Sequence, residues 1–185
     1  SKAMDLVTQS LEINMNHEKT FKVTPSGLDY ALKCKRCLWL SYKGIKLDAF
    51  FPPIFNAFDL IQKKFLITQS VKLMSKALPD GRIMTELSGF IGSSTLKDKK
   101  GRSFVIRGKT DVVVEFKTNP KKYGIIDLKT TNINPSKIEN YKLQLESYAT
   151  IFQNPNSKTP KFSDVEELGL YLFEPKEITK ISDGT

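Results

Sequence analysis

Gly108-Lys109-Thr110-Asp111-Val112-Val113-Val114-Glu115-Phe116, then Thr118-Asn119-Pro120-Lys121-Lys122, then Tyr123-Gly124-Ile125-Ile126-Asp127-Leu128-Lys129-Thr130, is the stretch on which the fold turns. Two runs rich in β-branched, aromatic and other apolar residues flank a polar link containing a proline, which predicts an antiparallel hairpin. Side chains on a strand alternate faces, so Asp127 and Lys129 share one face while Ile126 and Leu128 point into a core on the other. Asp111, just after a turn begun at Gly108, adds a third polar group to an otherwise apolar pair of strands. Groups of this kind cost stability unless they meet partners.

Two readings are open. In one, Asp127 and Lys129 lie on the solvent face of an edge strand and Asp111 caps a turn. In the other, the carboxylates converge on a divalent metal. Paired carboxylates suit Mg²⁺, and a lysine beside them orients or deprotonates an attacking water and offsets charge building on a phosphate. That is the chemistry of phosphodiester hydrolysis.

Gly108-Lys109-Thr110-Asp111, Asp127-Leu128-Lys129 and, on a later helical stretch, Gln144-Leu145-Glu146-Ser147-Tyr148 stand in one order along the chain. This ordered set resembles the PD-(D/E)XK nuclease superfamily, in particular its RecB-like exonuclease branch. The resemblance extends more loosely to Phe51-Pro52-Pro53-Ile54-Phe55-Asn56-Ala57-Phe58-Asp59 and to Gly169-Leu170-Tyr171-Leu172-Phe173-Glu174-Pro175. It implies an α/β fold with a restriction-endonuclease-like core, a mixed central sheet flanked by helices. It further implies a deoxyribonuclease using Mg²⁺, with Mn²⁺ as a substitute, acting in DNA repair, recombination or defence, alone or beside a helicase or other repair protein. Asp111, Asp127 and the carbonyl of Leu128 would hold the metal, and Lys129 would be catalytic. Gln144 and Tyr148 would bind substrate, positioning the lysine and the DNA backbone. Glu86 stands where the family often has an additional carboxylate, on the strand before the first motif. Many RecB-like enzymes carry a histidine or an acid on an early helix, where this chain has Phe55 and Asp59. Some also carry a four-cysteine iron-sulfur cluster; the three C-terminal cysteines are missing here, so no cluster is expected.

With 185 residues, the chain is long enough for one domain and short for two. The expected organisation is a flexible segment over residues 1–20 and a single nuclease-like domain over 21–185. Its 29 Lys and Arg against 20 Asp and Glu give a net charge of +9, which favours polyanionic partners, DNA foremost. No apolar run is long enough for a membrane span and no leader pattern opens the sequence, so a cytoplasmic protein without a membrane partner is expected. Cys34 and Cys37 form C-x-x-C, but these two and the lone His17 fall short of a structural zinc set. Reduced thiols without a role are expected, over a redox disulfide, because no thioredoxin-like βαβ pattern surrounds the pair.

Along the chain, Thr24-Pro25-Ser26 opens a helix carrying Leu28, Ala31, Leu32, Leu38 and Trp39 and ending before Gly44. Its Lys33, Lys35, Arg36 and Lys43 form either a phosphate track or a solvated face. A second helix, from about Ile54 to Gln69, bears a stripe of Phe55, Phe58, Ile61, Phe65 and Leu66, read as core. A short helix over Val71–Leu78 precedes a turn at Pro79-Asp80-Gly81, and Arg82 to Phe90 reads as a strand. Lys97-Asp98-Lys99-Lys100-Gly101-Arg102 is a charged turn whose Lys97, Lys99, Lys100 and Arg102 either touch substrate or are the ordinary charge of a surface loop. A helix from Pro135 to Phe152 and a strand over Leu168–Phe173 complete the pattern.

Overall fold

The computed structural model describes residues 20–45, 52–87, 89–132, 134 and 138–176, with the side chains of Asp29, Tyr30, Glu86 and Asn140 excepted. The hairpin forms as its composition requires. Strand β6 (Val112–Phe116) pairs antiparallel with β7 (Tyr123–Thr130), Val112 opposite Ile126 and Glu115 opposite Tyr123. In chain order before it come β1 (Phe21–Val23), α1 (Pro25–Lys33), α2 (Lys35–Tyr42), α3 (Pro53–Ile67), α4 (Val71–Met74), β2 (Gly81–Ile83), a 3₁₀ turn (Thr85–Leu87), β3 (Phe90–Gly92), β4 (Leu96–Lys97) and β5 (Ser103–Lys109). After it come α5 (Ile138–Gln153) and β8 (Val165–Phe173).

These strands make two four-stranded sheets. One runs β2-β6-β7-β8, with β8 parallel to β7 across the α5 crossover; the other runs β1-β5-β3, with β4 also on β5 and β1 parallel to it. The architecture is α/β, with mixed sheets flanked by helices. β7 therefore lies inside its sheet, between β6 and β8, which rules out the reading of Asp127 and Lys129 as solvent-facing groups of an edge strand. Both faces of the hairpin are covered. Val113 and Ile125 join Leu143, Leu145, Ile151 and Phe152 of α5 in one core, where Leu28 and Ala31 of α1 also pack. Val112, Val114, Ile126 and Leu128 pack on the opposite face with Leu66 of α3 and Val71 of α4.

Several expectations need correction. The first helix is two: Cys34 takes an extended backbone (φ −155°, ψ 92°) and caps α2, its Sγ accepting from the Cys37 amide at 3.1 Å. The cysteines are paired as a Cys34–Cys37 disulfide, not reduced thiols. A cap places Sγ of the N-cap residue over the first turn, which brings the thiol three positions further on within reach. The strand expected over Arg82–Phe90 is broken by the 3₁₀ turn, so Glu86 stands on that turn. The helix expected over Val71–Leu78 stops at Met74. The stripe on α3 is mostly open: Phe55, Ile61 and Phe65 are exposed, Phe58 packs against Phe173, and Leu66 and Gln62 are the buried positions. A helix laid on one face of a sheet buries only the positions that face it, and the apolar residues of α3 exceed that width. In the charged turn, Arg102 is held by buried Asp98, whose carboxylate also accepts from the amides of Lys100 and Arg102, while Gly101 supplies the positive φ of 76°.

The segment expected over 1–20 lies, but for Thr20, outside the described residues, as do Phe51, Pro135-Ser136 and the end of the chain from residue 177. Among the described residues no helix is long and apolar enough to cross a membrane.

Leu66 is 1% exposed and Ile61 62% exposed on the same helix, so they separate packing from composition. Leu66→Ala is expected to lower unfolding free energy by about 2–5 kcal/mol, and Ile61→Ala by no more than about 0.5 kcal/mol, in urea denaturation.

Candidate active site

The register of the hairpin builds the site. Val112 opposes Ile126, so one step further along the same register Asp111 opposes Asp127, just past the end of the ladder. Odd-numbered positions of both strands face α5, as Val113 and Ile125 do, and the two carboxylates belong to that set. Like charges directly opposite one another repel, and the surrounding residues are arranged to answer that.

Asp111 Oδ2 accepts from the Leu128 amide at 2.9 Å, in the place where the next ladder bond would fall. N–H and C=O of one strand residue point to the same edge, so the Leu128 carbonyl faces the same opening. Asp111 Oδ1 is 2.8 Å from the ammonium of Lys63, which is equally 2.8 Å from Asp59 Oδ2, one turn earlier on α3. Asp127 is 2% exposed. Its Oδ1 accepts from Gln144 Nε2 at 3.1 Å. Its Oδ2 lies 2.6 Å from the Lys129 ammonium but has no directed hydrogen bond, an ion pair off the line a hydrogen bond prefers. Lys129 in turn stands 5.3 Å from the centroid of the Tyr141 ring.

Burial drives the Asp127 carboxyl up to about 6 and the nearby Asp111 adds to the rise, with Lys129 opposing both. For Lys63, burial alone would depress the ammonium, but its hydrogen bonds to Asp111 and Asp59 outweigh this and raise it. Lys63 and Lys129 thus stand as the cationic partners of Asp111 and Asp127, the second of which is buried.

Gly108 and the helical motif hold this frame. Gly108 is not the start of a turn: it lies within β5, and a Cβ there would come within 2.9 Å of the Tyr148 ring and 3.0 Å of Pro25. The turn is Thr110-Asp111. Close approach lets the Tyr148 hydroxyl donate to the Lys109 carbonyl at 2.8 Å, and burial pushes that hydroxyl up to about 12, so it stays a donor. Gln144 Nε2 lies 3.4 Å from the same hydroxyl. Gln144 and Tyr148, expected to contact substrate, are both buried; the first is bonded to Asp127 on β7 and the second to Lys109 at the end of β5, two residues before Asp111. The side chain of Glu86, expected as an additional carboxylate, lies outside what the structure describes; its backbone stands on the 3₁₀ turn and not on a strand.

Three residues without a motif of their own belong here. Lys63 and Gln62 sit in a helix whose sequence is dominated by its apolar stripe; Gln62 donates to Thr130 Oγ1 at 2.9 Å and keeps a buried Oε1 without a partner. The signal in the sequence for Lys63 is its spacing of four from Asp59. Tyr141 stands at helical spacing from the apolar-facing Leu145, Tyr148 and Phe152 of α5, which hides its place beside Lys129. Two clefts open beside these groups: one of about 90 Å³ beside Lys63, Lys109 and Asp111, and one of about 430 Å³ lined by Asp59, Leu128, Lys129 and Thr130.

A divalent cation fits this donor set in one respect and is short in another. Asp127 Oδ2 is a buried carboxylate oxygen without a directed hydrogen bond, adjacent to a second carboxylate, and both are oxygen donors of the kind Mg²⁺ takes. Among the described residues, however, no group of three or more His, Cys, Asp or Glu side chains converges. The remaining positions would fall to the Leu128 carbonyl and to water, which Mg²⁺ retains readily.

The raised carboxyl of Asp127 sets a pH test of stability in metal-free buffer. Below about pH 4 folded and unfolded chains both hold this proton; from about pH 4 to about 6 the unfolded chain releases it first, so rising pH destabilises the fold. Asp127→Asn is expected to match wild type near pH 4 and to exceed it at pH 7 by roughly 1–3 kcal/mol, measured by denaturation in EDTA. Gly108→Ala is expected to lose roughly 1–3 kcal/mol, by the same measurement, as the Tyr148 ring is forced from the Lys109 carbonyl.

Comparison with protein-family models, with characterised proteins and with solved structures returns no match to this chain, so its function has to be argued from the geometry and the sequence motifs.

Proposed function

We propose that the chain is a magnesium-dependent deoxyribonuclease that hydrolyses phosphodiester bonds, an exonuclease of the RecB-like kind, with Mn²⁺ able to replace Mg²⁺. The observation that carries this reading is the opposition of Asp111 and Asp127 at the open end of the β6–β7 ladder with the Lys129 ammonium 2.6 Å from Asp127. Burying Asp127 beside a second carboxylate, at a cost to stability, is an arrangement that function explains and packing does not.

In this reading Asp111, Asp127 and the Leu128 carbonyl hold the ion, which when bound polarises the scissile phosphate and stabilises the leaving oxygen. Lys129 orients the attacking water and offsets the negative charge that develops on the phosphate oxygens. Tyr141 lies beside that ammonium and limits where it can swing. Gln144 and Tyr148 act at one remove: the first fixes the Asp127 carboxylate and the second the strand leading to Asp111. The net charge of +9 draws the polyanionic substrate toward the clefts. Work in DNA repair, recombination or defence, beside a helicase or another repair protein, is the setting this chemistry suits.

A second reading is a nuclease-fold domain that binds nucleic acid with impaired catalysis. The absence of a third converging acid or histidine among the described residues favours it. Cleavage of labelled linear and circular DNA, single- and double-stranded, in Mg²⁺, Mn²⁺ or EDTA separates the two. Metal-dependent cutting is expected, and Lys129→Ala is expected to lower its rate on the order of 10²-fold or more. An unimpaired Lys129→Ala enzyme would sink the mechanism, and salt-sensitive binding without cutting would select the second reading.

A further inference from the structure

Lys63 sits on α3, outside all three motifs, yet its ammonium spans two carboxylates at equal distance: 2.8 Å to Asp59 Oδ2 and 2.8 Å to Asp111 Oδ1. With Asp111 Oδ2 taken by the Leu128 amide, both oxygens of that carboxylate are engaged. Each of those oxygens keeps a second lone pair, but a divalent ion on either one would meet the Lys63 ammonium, 2.8 Å from Oδ1, as a like charge. Asp59 offers the ammonium somewhere to stay. It lies one helical turn before Lys63, its side chain is 44% exposed, and an i,i+4 pair on one helix survives whatever happens to Asp111.

We propose that Lys63 is an exchangeable counter-ion of the metal site: it neutralises Asp111 in the metal-free protein and withdraws onto Asp59 when a divalent ion binds. The inference rests on the metal-site reading above and adds to it a residue that sets ion affinity without ligating the ion. The physical logic is that of the opposed carboxylates. Without an ion, Asp111 and Asp127 need two separate cations, and Lys63 and Lys129 supply one each. With an ion, one of those cations is surplus. Lys129 has a buried partner and an aromatic ring beside it, whereas Lys63 has a surface carboxylate within reach, so Lys63 is the one that moves.

The test is Mn²⁺ titration by calorimetry, without DNA, on the full chain and on Lys63→Met, Asp59→Asn, their double variant and Asp127→Asn. Lys63→Met is expected to bind Mn²⁺ roughly tenfold more tightly than wild type, since the competing charge is gone. Asp59→Asn is expected to bind a few-fold more weakly, because Lys63 is then left with Asp111 alone. The double variant is expected to match Lys63→Met, since Asp59 acts only through Lys63. Metal-free Lys63→Met should also melt below wild type; if it fails to fold by circular dichroism, Lys63→Gln takes its place.

Unchanged or weaker binding by the Lys63 variant overturns the proposal, while wild-type binding that disappears in Asp127→Asn leaves the metal site standing. A double variant weaker than Lys63→Met makes Asp59 a ligand and overturns its role as the resting place. If neither wild type nor Lys63→Met binds Mn²⁺, the proposal and the metal-site reading fall together.

Discussion

Two carboxylates facing each other across the end of a β-ladder are the constraint to which the rest of this structure answers. Asp111 and Asp127 stand in register one step beyond the Val112–Ile126 pair, and side chains directly opposite each other on an antiparallel pair sit close together. Water cannot relieve their repulsion, because Asp127 is buried. Relief comes instead from an amide of β7, an amide side chain of α5 and two lysines that arrive from different elements, Lys129 from the strand itself and Lys63 from α3.

That requirement accounts for features which packing alone would not select. Gly108 has ordinary strand geometry; its lack of a side chain is what lets Tyr148 reach the Lys109 carbonyl and Pro25 pack alongside. Gln144 is a buried amide in the middle of an otherwise apolar helix face, an expensive placement unless its donor is used, and it is used on Asp127. Gln62 repeats the device on the other side of the sheet, tying α3 to Thr130 at the strand end next to Lys129. The two cores, one under α5 and one under α3 and α4, clamp the hairpin from both faces and keep the register from slipping, which would turn both acids away from these partners.

The charge arrangement also explains why the site is assembled from three layers rather than one. A strand can present alternate side chains on one face, and so it provides the acids and Lys129, but it cannot surround them. α5 covers them from above with Gln144, Tyr148 and Tyr141; α3 approaches the open end with Lys63 and Asp59. The clefts lie where these layers stop meeting, beside Asp111 and beside Lys129.

Sequence by itself determined the local parts. The hairpin, its alternation, the long α5 and the final strand all follow from periodicity and turn chemistry, because period-two and helical patterns are written in consecutive residues. The shared face of Asp127 and Lys129 was legible for the same reason. Only the tertiary structure decided what depends on residues distant in the chain. It put β7 inside a sheet, so that Asp127 is buried; it broke the strand at Glu86 into a 3₁₀ turn; it left most of the α3 stripe exposed, since a helix laid on one face of a sheet buries only the positions turned toward it; and it paired Cys34 with Cys37 at a cap. Lys63 was invisible on its own because a lysine among apolar residues reads as a solvated charge. Its meaning comes from Asp111, brought to it across the fold by the pairing of strands that local pattern cannot specify.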